Sequence, residues 1–272
     1  MAEAANANVR GLAGVCAAVT GGTKGIGGAV VRTLAAAGAR VAFQGRDAAA
    51  AQNVLRDCAG LAGEALYVPG DVTSFTDACT LVERVRAAWG RIDVYVSSGG
   101  PREPVPRLFA DLATPADSMA MIASRLGPRL NGLHAAVPAM RAQGGGKIIL
   151  LTTDAAREPT PSESMVGAAG AVVMFLARAL AKELAASGIR VNAVATTITS
   201  DTPPYERYLE ARRTDPGNVL VKAFDKAHAK AAFRVNTPQD IADYVAFLAS
   251  PAADQISGST LSINGGLSFP SY

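Results

Sequence analysis

Short apolar runs alternate with longer amphipathic stretches along nearly the whole chain, and this alternation narrows the fold more than any other feature. Val15–Val19, Arg40–Gln44, Ala65–Val68, Ile92–Val96, Lys147–Leu151, Ile189–Val194 and Thr260–Ile263 read as strands. Helical patterns cover Gly25–Ala37, Ala48–Ala59, Phe75–Trp89, Pro115–Gln143, Met165–Ser187 and Gln239–Ala249. Strands joined by helical crossovers run parallel in one sheet, with helices over both faces. The strands are continuously apolar rather than alternating, as strands buried on both faces should be. No internal repeat or linker divides the chain. Its 272 residues therefore predict one α/β domain, a doubly wound parallel sheet of about seven strands. Only residues 203–236 break the rhythm.

Composition removes several classes of function. The chain is 49% hydrophobic and 18% charged, which excludes wholesale disorder. A net charge of +3 is too small to argue for nucleic acid. Cys16, Cys58 and Cys79 are scattered and show no metal or disulfide spacing, so they read as thiols in a reducing compartment. Met1–Arg10 carries no apolar core of a signal peptide, and no stretch of about 18 residues looks apolar enough to span a bilayer. The expectation is a cytoplasmic protein without metal, membrane or nucleic-acid partners.

The first strand runs into Thr20-Gly21-Gly22-Thr23-Lys24-Gly25-Ile26-Gly27, and a helix follows. Strand, glycine turn and helix N-terminus together make a phosphate site. Glycines let backbone N–H groups close on the anion, and the helix dipole favours negative charge there.

From this turn onward the chain resembles the short-chain dehydrogenase/reductase family over about residues 12–267. Residues 20–27 match that family's TGxxxGxG turn. Gly70-Asp71-Val72 matches its adenine-holding aspartate. Asp93–Gly100 sits where a strand ends in NNAG, with Ser97 and Gly99 inside that motif. Gly188–Val194 matches the sixth strand, and Asp240-Ile241-Ala242, Phe247–Ser250 and Gly258…Asn264-Gly265-Gly266 match the C-terminal part. The resemblance implies a Rossmann-type fold and a nicotinamide cofactor. It assigns cofactor contacts to Gly21, Thr23, Lys24, Gly25, Ile26, Gly27, Arg46, Asp71, Val72, Ser97 and Gly99. The usual Pro-Gly after strand six is replaced by Ala195–Thr199, so Thr197, Ile198 and Thr199 fall beside the nicotinamide amide.

An NAD site usually places an acid on the ribose 2′-hydroxyl at the end of strand two. Here that strand ends Phe43-Gln44-Gly45-Arg46, and Lys24 stands in the glycine turn. Two cations there predict NADP(H), Arg46 through its planar fork. Asp47 then reads as a helix N-cap.

The family's proton transfer uses a Ser, a Tyr and a Lys, the last two four residues apart on the helix after strand five. Between flanking anchors, those two positions fall on Met165 and Ala169. A thioether gives no proton and a methyl no charge. Thr153, or its neighbour Thr152, takes the serine position. The usual asparagine of the preceding helix falls near Arg125, and Asn131 reads as an ordinary polar helix residue. Asp154, next to Thr153, is the first candidate for a replacement acid. Tyr208, four residues before Arg212 on one helical face, is the second.

The segment 203–236 carries seven Lys/Arg against four acids, with Tyr205, Tyr208, Phe224 and Phe233 among them. It predicts a basic, aromatic lid over an anionic or aromatic small molecule. His134 and His228 read as surface residues. The reading is an NADP(H)-dependent reductase of a carbonyl, enone, quinone or imine, with altered proton transfer. Its rivals are a dehydratase, isomerase or cyclase on the same fold, and a non-catalytic NADP-binding subunit. The resemblance also implies a homotetramer or dimer packed through the two long helices.

Overall fold

A computed structural model describes residues 11–101 and 103–269, with Val219 described by its backbone only; Met1–Arg10 lies outside the described residues. Seven strands, Cys16–Val19 (β1), Arg40–Gly45 (β2), Glu64–Pro69 (β3), Val94–Ser97 (β4), Gly146–Thr153 (β5), Ile189–Thr196 (β6) and Thr260–Ile263 (β7), form one sheet. The helices are Gly25–Ala36 (α1), Ala48–Cys58 (α2), Phe75–Trp89 (α3), Pro115–Gln143 (α4), Ser164–Glu183 (α5), Pro203–Thr214 (α6), Val219–Lys230 (α7) and Pro238–Ala249 (α8).

Every strand pairing is parallel, and the order is β3-β2-β1-β4-β5-β6-β7. The chain winds outward from β1 to β3, returns to β4 beside β1, and then winds the other way. That reversal opens a crevice at the carboxyl ends of β1 and β4, the place where open α/β sheets hold ligands.

Both faces are covered, which explains the unbroken apolar strands. On one side Val30, Val31 and Leu34 of α1 and Ile241 and Val245 of α8 pack on Val19, Val41 and Val96. On the other, Leu81 and Val85 of α3, Leu133 and Met140 of α4 and Val173 of α5 pack on Tyr95, Ile148 and Val191. Gly132 lets α4 lie on the Tyr95 ring, because a Cβ there would fall 2.0 Å from the phenol oxygen.

Side-chain caps fix several helix starts. Asp47 accepts from Ala50 N at α2, as expected, and Ser74 accepts from Asp77 N at α3. Thr114 and Thr237 form full capping boxes at α4 and α8. Each such cap is worth about 1 kcal/mol.

The structure departs from the sequence expectation in three places. β4 starts at Val94, not Ile92, because the Asp93 carboxylate accepts from Cys16 N at 2.9 Å and pairs with Arg91 at 2.6 Å. The irregular segment 203–236 contains two full helices, α6 and α7. And α5, with 20 residues and a mean hydropathy of 1.8, is long and apolar enough to cross a membrane, against the expectation of no such segment. Its apolarity serves the core here: Gly167, Ala169, Gly170, Val173, Met174, Ala177 and Ala181 are buried.

Candidate active site

The glycine turn lies at the crevice. Thr20 N donates to Val96 O at 3.0 Å and Thr20 Oγ1 to Ser98 O at 2.9 Å, while Ser98 N donates back to Thr20 Oγ1 at 3.0 Å. These bonds lock the β1 and β4 ends together. The approach is so close that a Cβ on Gly21, whose φ is +64°, would sit 2.8 Å from Gly99 Cα. A Cβ on Gly27 would sit 2.2 Å from Gly21 O. Lys24 is the N-cap of α1 but makes no side-chain cap, and no acid lies in the first turn. Backbone donors and the positive helix end thus remain for an anion at this turn. The residues fit a dinucleotide pyrophosphate.

Lys24 and Arg46 both stand at the end of β2, each paired with its own acid. Thr23 packs on Gly45, where a Cβ would fall 2.6 Å from Thr23 Cγ2. Lys24 Nζ pairs with Asp47 at 2.6 Å and Arg46 Nη1 with Asp71 at 3.3 Å. The Lys24 bond, then the Ala50 backbone bond, hold the Asp47 carboxyl below its usual range. Asp71 is also shifted down: burial would raise it, but bonds from Thr73 and the Arg46 charge outweigh that. Asn131 Nδ2 donates to Val72 O at 3.3 Å and ties α4 to the loop after β3. Ser97 is fully buried at the β4 end, and its Oγ has no partner among the described residues.

At the β5 end, Thr153 Oγ1 accepts from Ala155 N at 3.1 Å, and Thr152 Oγ1 donates to Gly170 O at 3.4 Å. The α5 face over these hydroxyls is lined by glycine. A Cβ on Gly170 would fall 2.8 Å from Thr153 Cγ2 and 3.2 Å from Thr152 Oγ1, and one on Gly167 2.5 Å from Ala155 O. The residue facing the β5 end is therefore Gly170, one after Ala169. The four-residue pair on that face reads Val166/Gly170 rather than Met165/Ala169. In either register the face offers neither phenol nor ammonium.

Both replacement acids inferred from sequence turn out to be engaged elsewhere. Asp154 is 1% exposed. Its Oδ1 accepts from Ser262 Oγ at 2.5 Å and Arg157 Nη2 at 3.0 Å. Its Oδ2 accepts from Ser268 Oγ at 2.7 Å and Asn264 Nδ2 at 2.8 Å. Burial alone would raise this carboxyl, but bonds from Ser262, Asn264, Ser268 and Arg157 prevail and hold it below the usual carboxylate range. An ionised, fully bonded carboxylate has no proton to give; it ties β5 to the C-terminal segment.

Tyr208 is likewise enclosed in the lid. Its ring stacks on Phe224 with centroids 4.9 Å apart, and its hydroxyl donates to Asp225 Oδ1 at 2.8 Å. Burial first, and the bond to Asp225 next, push the phenol up. Arg212 does share its face, as the spacing predicts, with its guanidinium carbon 5.9 Å from the ring centroid. The pair holds α6 to α7. Tyr205 hydrogen-bonds His228 at 3.1 Å beside them, bordering an open cavity of about 490 Å³.

After β6, Thr199 Oγ1 donates to Thr197 O at 3.0 Å and Thr202 Oγ1 to Thr199 O at 2.7 Å. Buried Asn236, which sequence reasoning missed, reaches Ile263 O at 2.5 Å and Thr197 Oγ1 at 3.5 Å, anchoring this segment to β7. Also missed was Arg129. Its Nε and Nη2 donate to Leu151 O at 3.2 and 3.1 Å, and Nη1 to Gly99 O at 2.7 Å. One turn earlier, Arg125 Nη1 and Nη2 donate to Pro101 O and Pro104 O at 3.0 and 2.9 Å. The i,i+4 spacing of two arginines on α4 was the available signal. Burial, then the Arg125 charge, lower the Arg129 guanidinium to about 10, so it stays cationic at neutral pH.

Residues 21–268 match the family model described as enoyl-(acyl carrier protein) reductase. The chain is 34% identical over 255 residues to cis-4-hydroxycyclohexanecarboxylate dehydrogenase of Sinomonas cyclohexanicum, covering 92% of this chain and 95% of the relative. It is 29% identical to 7alpha-hydroxysteroid dehydrogenase of Escherichia coli K12, covering 94% of each. The fold superposes on L-sorbose reductase of Gluconobacter frateurii, solved with NADPH and L-sorbose, with a TM-score of 0.83 and 26% identity over 95% of this chain and 98% of that one. With the parallel sheet, the glycine turn at its switch point and these likenesses together, the chain belongs to the short-chain dehydrogenase/reductase family.

Proposed function

We propose that this chain is an NADP(H)-dependent oxidoreductase of small carbonyl compounds or alcohols whose proton transfer does not run through a phenol–ammonium pair on α5. One observation carries the reading. The dinucleotide cradle is built to close tolerance at Gly21 and Gly27, while the α5 face above Thr152 and Thr153 is stripped to glycine. The L-sorbose reductase neighbour, solved with NADPH, supports the cofactor class, and the hydroxycyclohexanecarboxylate and hydroxysteroid relatives support an alcohol/carbonyl substrate.

The bound cofactor supplies or accepts a hydride. In this reading the α1 N-terminus and the amides of residues 21–27 hold the pyrophosphate. Lys24 and Arg46 trade Asp47 and Asp71 for the 2′-phosphate, and Asp71 with Val72 borders the adenine. Ser97, Gly99 and Thr197–Thr199 border the nicotinamide end. Thr153 fixes an oxygen at the β5 terminus that orients the substrate oxygen. The helices α6 and α7 close over the substrate. A homo-oligomer would form through α4 and α5, where Met119, Val172 and Phe175 stand exposed.

Pure protein mixed with NADPH, then with ketones, enones, quinones and imines, tests the reading by nicotinamide absorbance at substrate-dependent rates. Turnover with NADPH and weak or no turnover with NADH is expected. Tight NADPH binding with no turnover on any acceptor would point to the non-catalytic subunit or to a non-redox reaction.

A further inference from the structure

We propose that Arg129 and Arg125, on successive turns of α4, form a seat for a carboxylate carried by the substrate. The inference rests on the oxidoreductase reading, because it says where the substrate's charged end sits in that same site.

Arg129 reaches the floor of the crevice from the side, and its three bonds all go to strand-end carbonyls, those of Leu151 and Gly99. A guanidinium has five N–H donors, so one on each Nη is left. Two such donors are what a carboxylate takes bidentately. Neither Arg129 nor Arg125 has a carboxylate within ion-pair distance among the described residues. The charges that act on Arg125 are Glu163 at the start of α5, Glu103, and Arg207 of α6; those on Arg129 are Arg125 and the Tyr95 phenol. Three guanidinium groups thus face two carboxyls, and none of the acids faces Arg129. A partly buried cation without a counter-charge is costly, and carbonyl dipoles offset only part of that cost.

The seat is open to a ligand. Arg129 is half-buried, whereas Gly99 and Gly100 beside it are exposed. Gly100 has no side chain to cover Arg129 Nη1; a Cβ there would lie 3.7 Å from it. The missing charge is one unit and the free donors are two, which suits a monoanionic carboxylate better than a phosphate dianion. The Arg207 charge on α6 also acts on Arg125, so this helix adds attraction for the same anion.

The experiment uses the full chain with NADP(H). Cyclohexanecarboxylate, benzoate and 4-oxocyclohexanecarboxylate are titrated against their carboxamides, with calorimetry and the fluorescence of bound NADPH as readouts. At least one acid is expected to bind at least about 10-fold tighter than its amide, with a preference that shrinks as salt rises. Arg129→Met should cut that preference about 10- to 100-fold and Arg129→Lys less, each measured with NADPH at saturation. Exposed Arg84→Met on α3 should change nothing. Equal binding of every acid and amide by the wild-type chain would overturn the proposal without any variant. So would loss of NADPH affinity in Arg129→Met with the acid preference intact, since the arginine would then serve the cofactor. Failure of the wild-type chain to bind NADPH at all is a different result; it strikes the oxidoreductase reading and leaves the acid-against-amide comparison readable.

Discussion

Replacing Asp154 by Asn separates a structural carboxylate from a proton donor. The change keeps the shape and removes the charge. If the Asn oxygen stays on Arg157 and Ser262, its Nδ2 faces Asn264 Nδ2 and Ser268 Oγ, the donors now received by Oδ2 at 2.8 and 2.7 Å. The serine hydroxyl can turn and accept; the Asn264 amide cannot, so two donors collide. The buried ion pair to Arg157 becomes a neutral bond. One lost bond to a charged group and one broken buried pair together cost about 3 kcal/mol. With a urea slope of roughly 2–3 kcal/mol/M for a chain of this size, the midpoint falls by about 1 M. The sign of the pH effect follows from the lowered carboxyl. Its stabilisation is full above the ordinary aspartate range and is lost as pH falls through the folded value, so Asp154→Asn should blunt the acid-side loss of stability. Urea titration by circular dichroism at neutral and acid pH reads both. The rate per folded molecule should keep the wild-type pH profile. An unchanged urea midpoint, together with lost turnover and a missing ionisation in the rate profile, would refute the structural assignment and return Asp154 to proton transfer.

Other outcomes follow from the same geometry. Lys24→Ala with Arg46→Ala should weaken NADPH by about 10- to 100-fold while leaving NADH nearly unchanged, measured by fluorescence titration of each cofactor. Gly21→Ala should abolish tight cofactor binding, because its Cβ would meet the Gly99 backbone at 2.8 Å and its φ is +64°; calorimetry with NADPH checks this. Asp240 is held at about 2, chiefly by Arg234, so its contribution is present at neutral pH and fades as pH falls toward that value. Arg234→Ala should therefore move acid unfolding to higher pH. Burial lifts the Cys58 thiol to about 11, so a thiol reagent at neutral pH should modify half-buried Cys79 well before Cys58.

What could be read from the sequence was what depends on neighbours along the chain. The alternation of strands and helices follows from local periodicity, and six of seven strand starts shift by one residue or less. The glycine turn was legible because tight turns need glycine and its flanking elements supply the context. The Asp47 cap was legible for the same reason. Site chemistry was less so, because it depends on which face a residue presents and on partners far away in sequence. Asp154 looked like an acid beside Thr153; Ser262, Asn264 and Ser268, more than a hundred positions on, make it a strut. Tyr208 and Arg212 share a face as their spacing requires, but Asp225 on another helix decides what the pair does. The α5 register slipped by one residue because an Ala- and Gly-rich helix carries little periodic signal to choose between adjacent positions. The same poverty of side chains has a structural consequence. Without a Cβ at 167 and 170, α5 settles close on the end of β5, and it is α4 that brings a cation to the Leu151 carbonyl. That cation is Arg129, and its charge at the crevice is the feature that most distinguishes this site from a bare cofactor cradle.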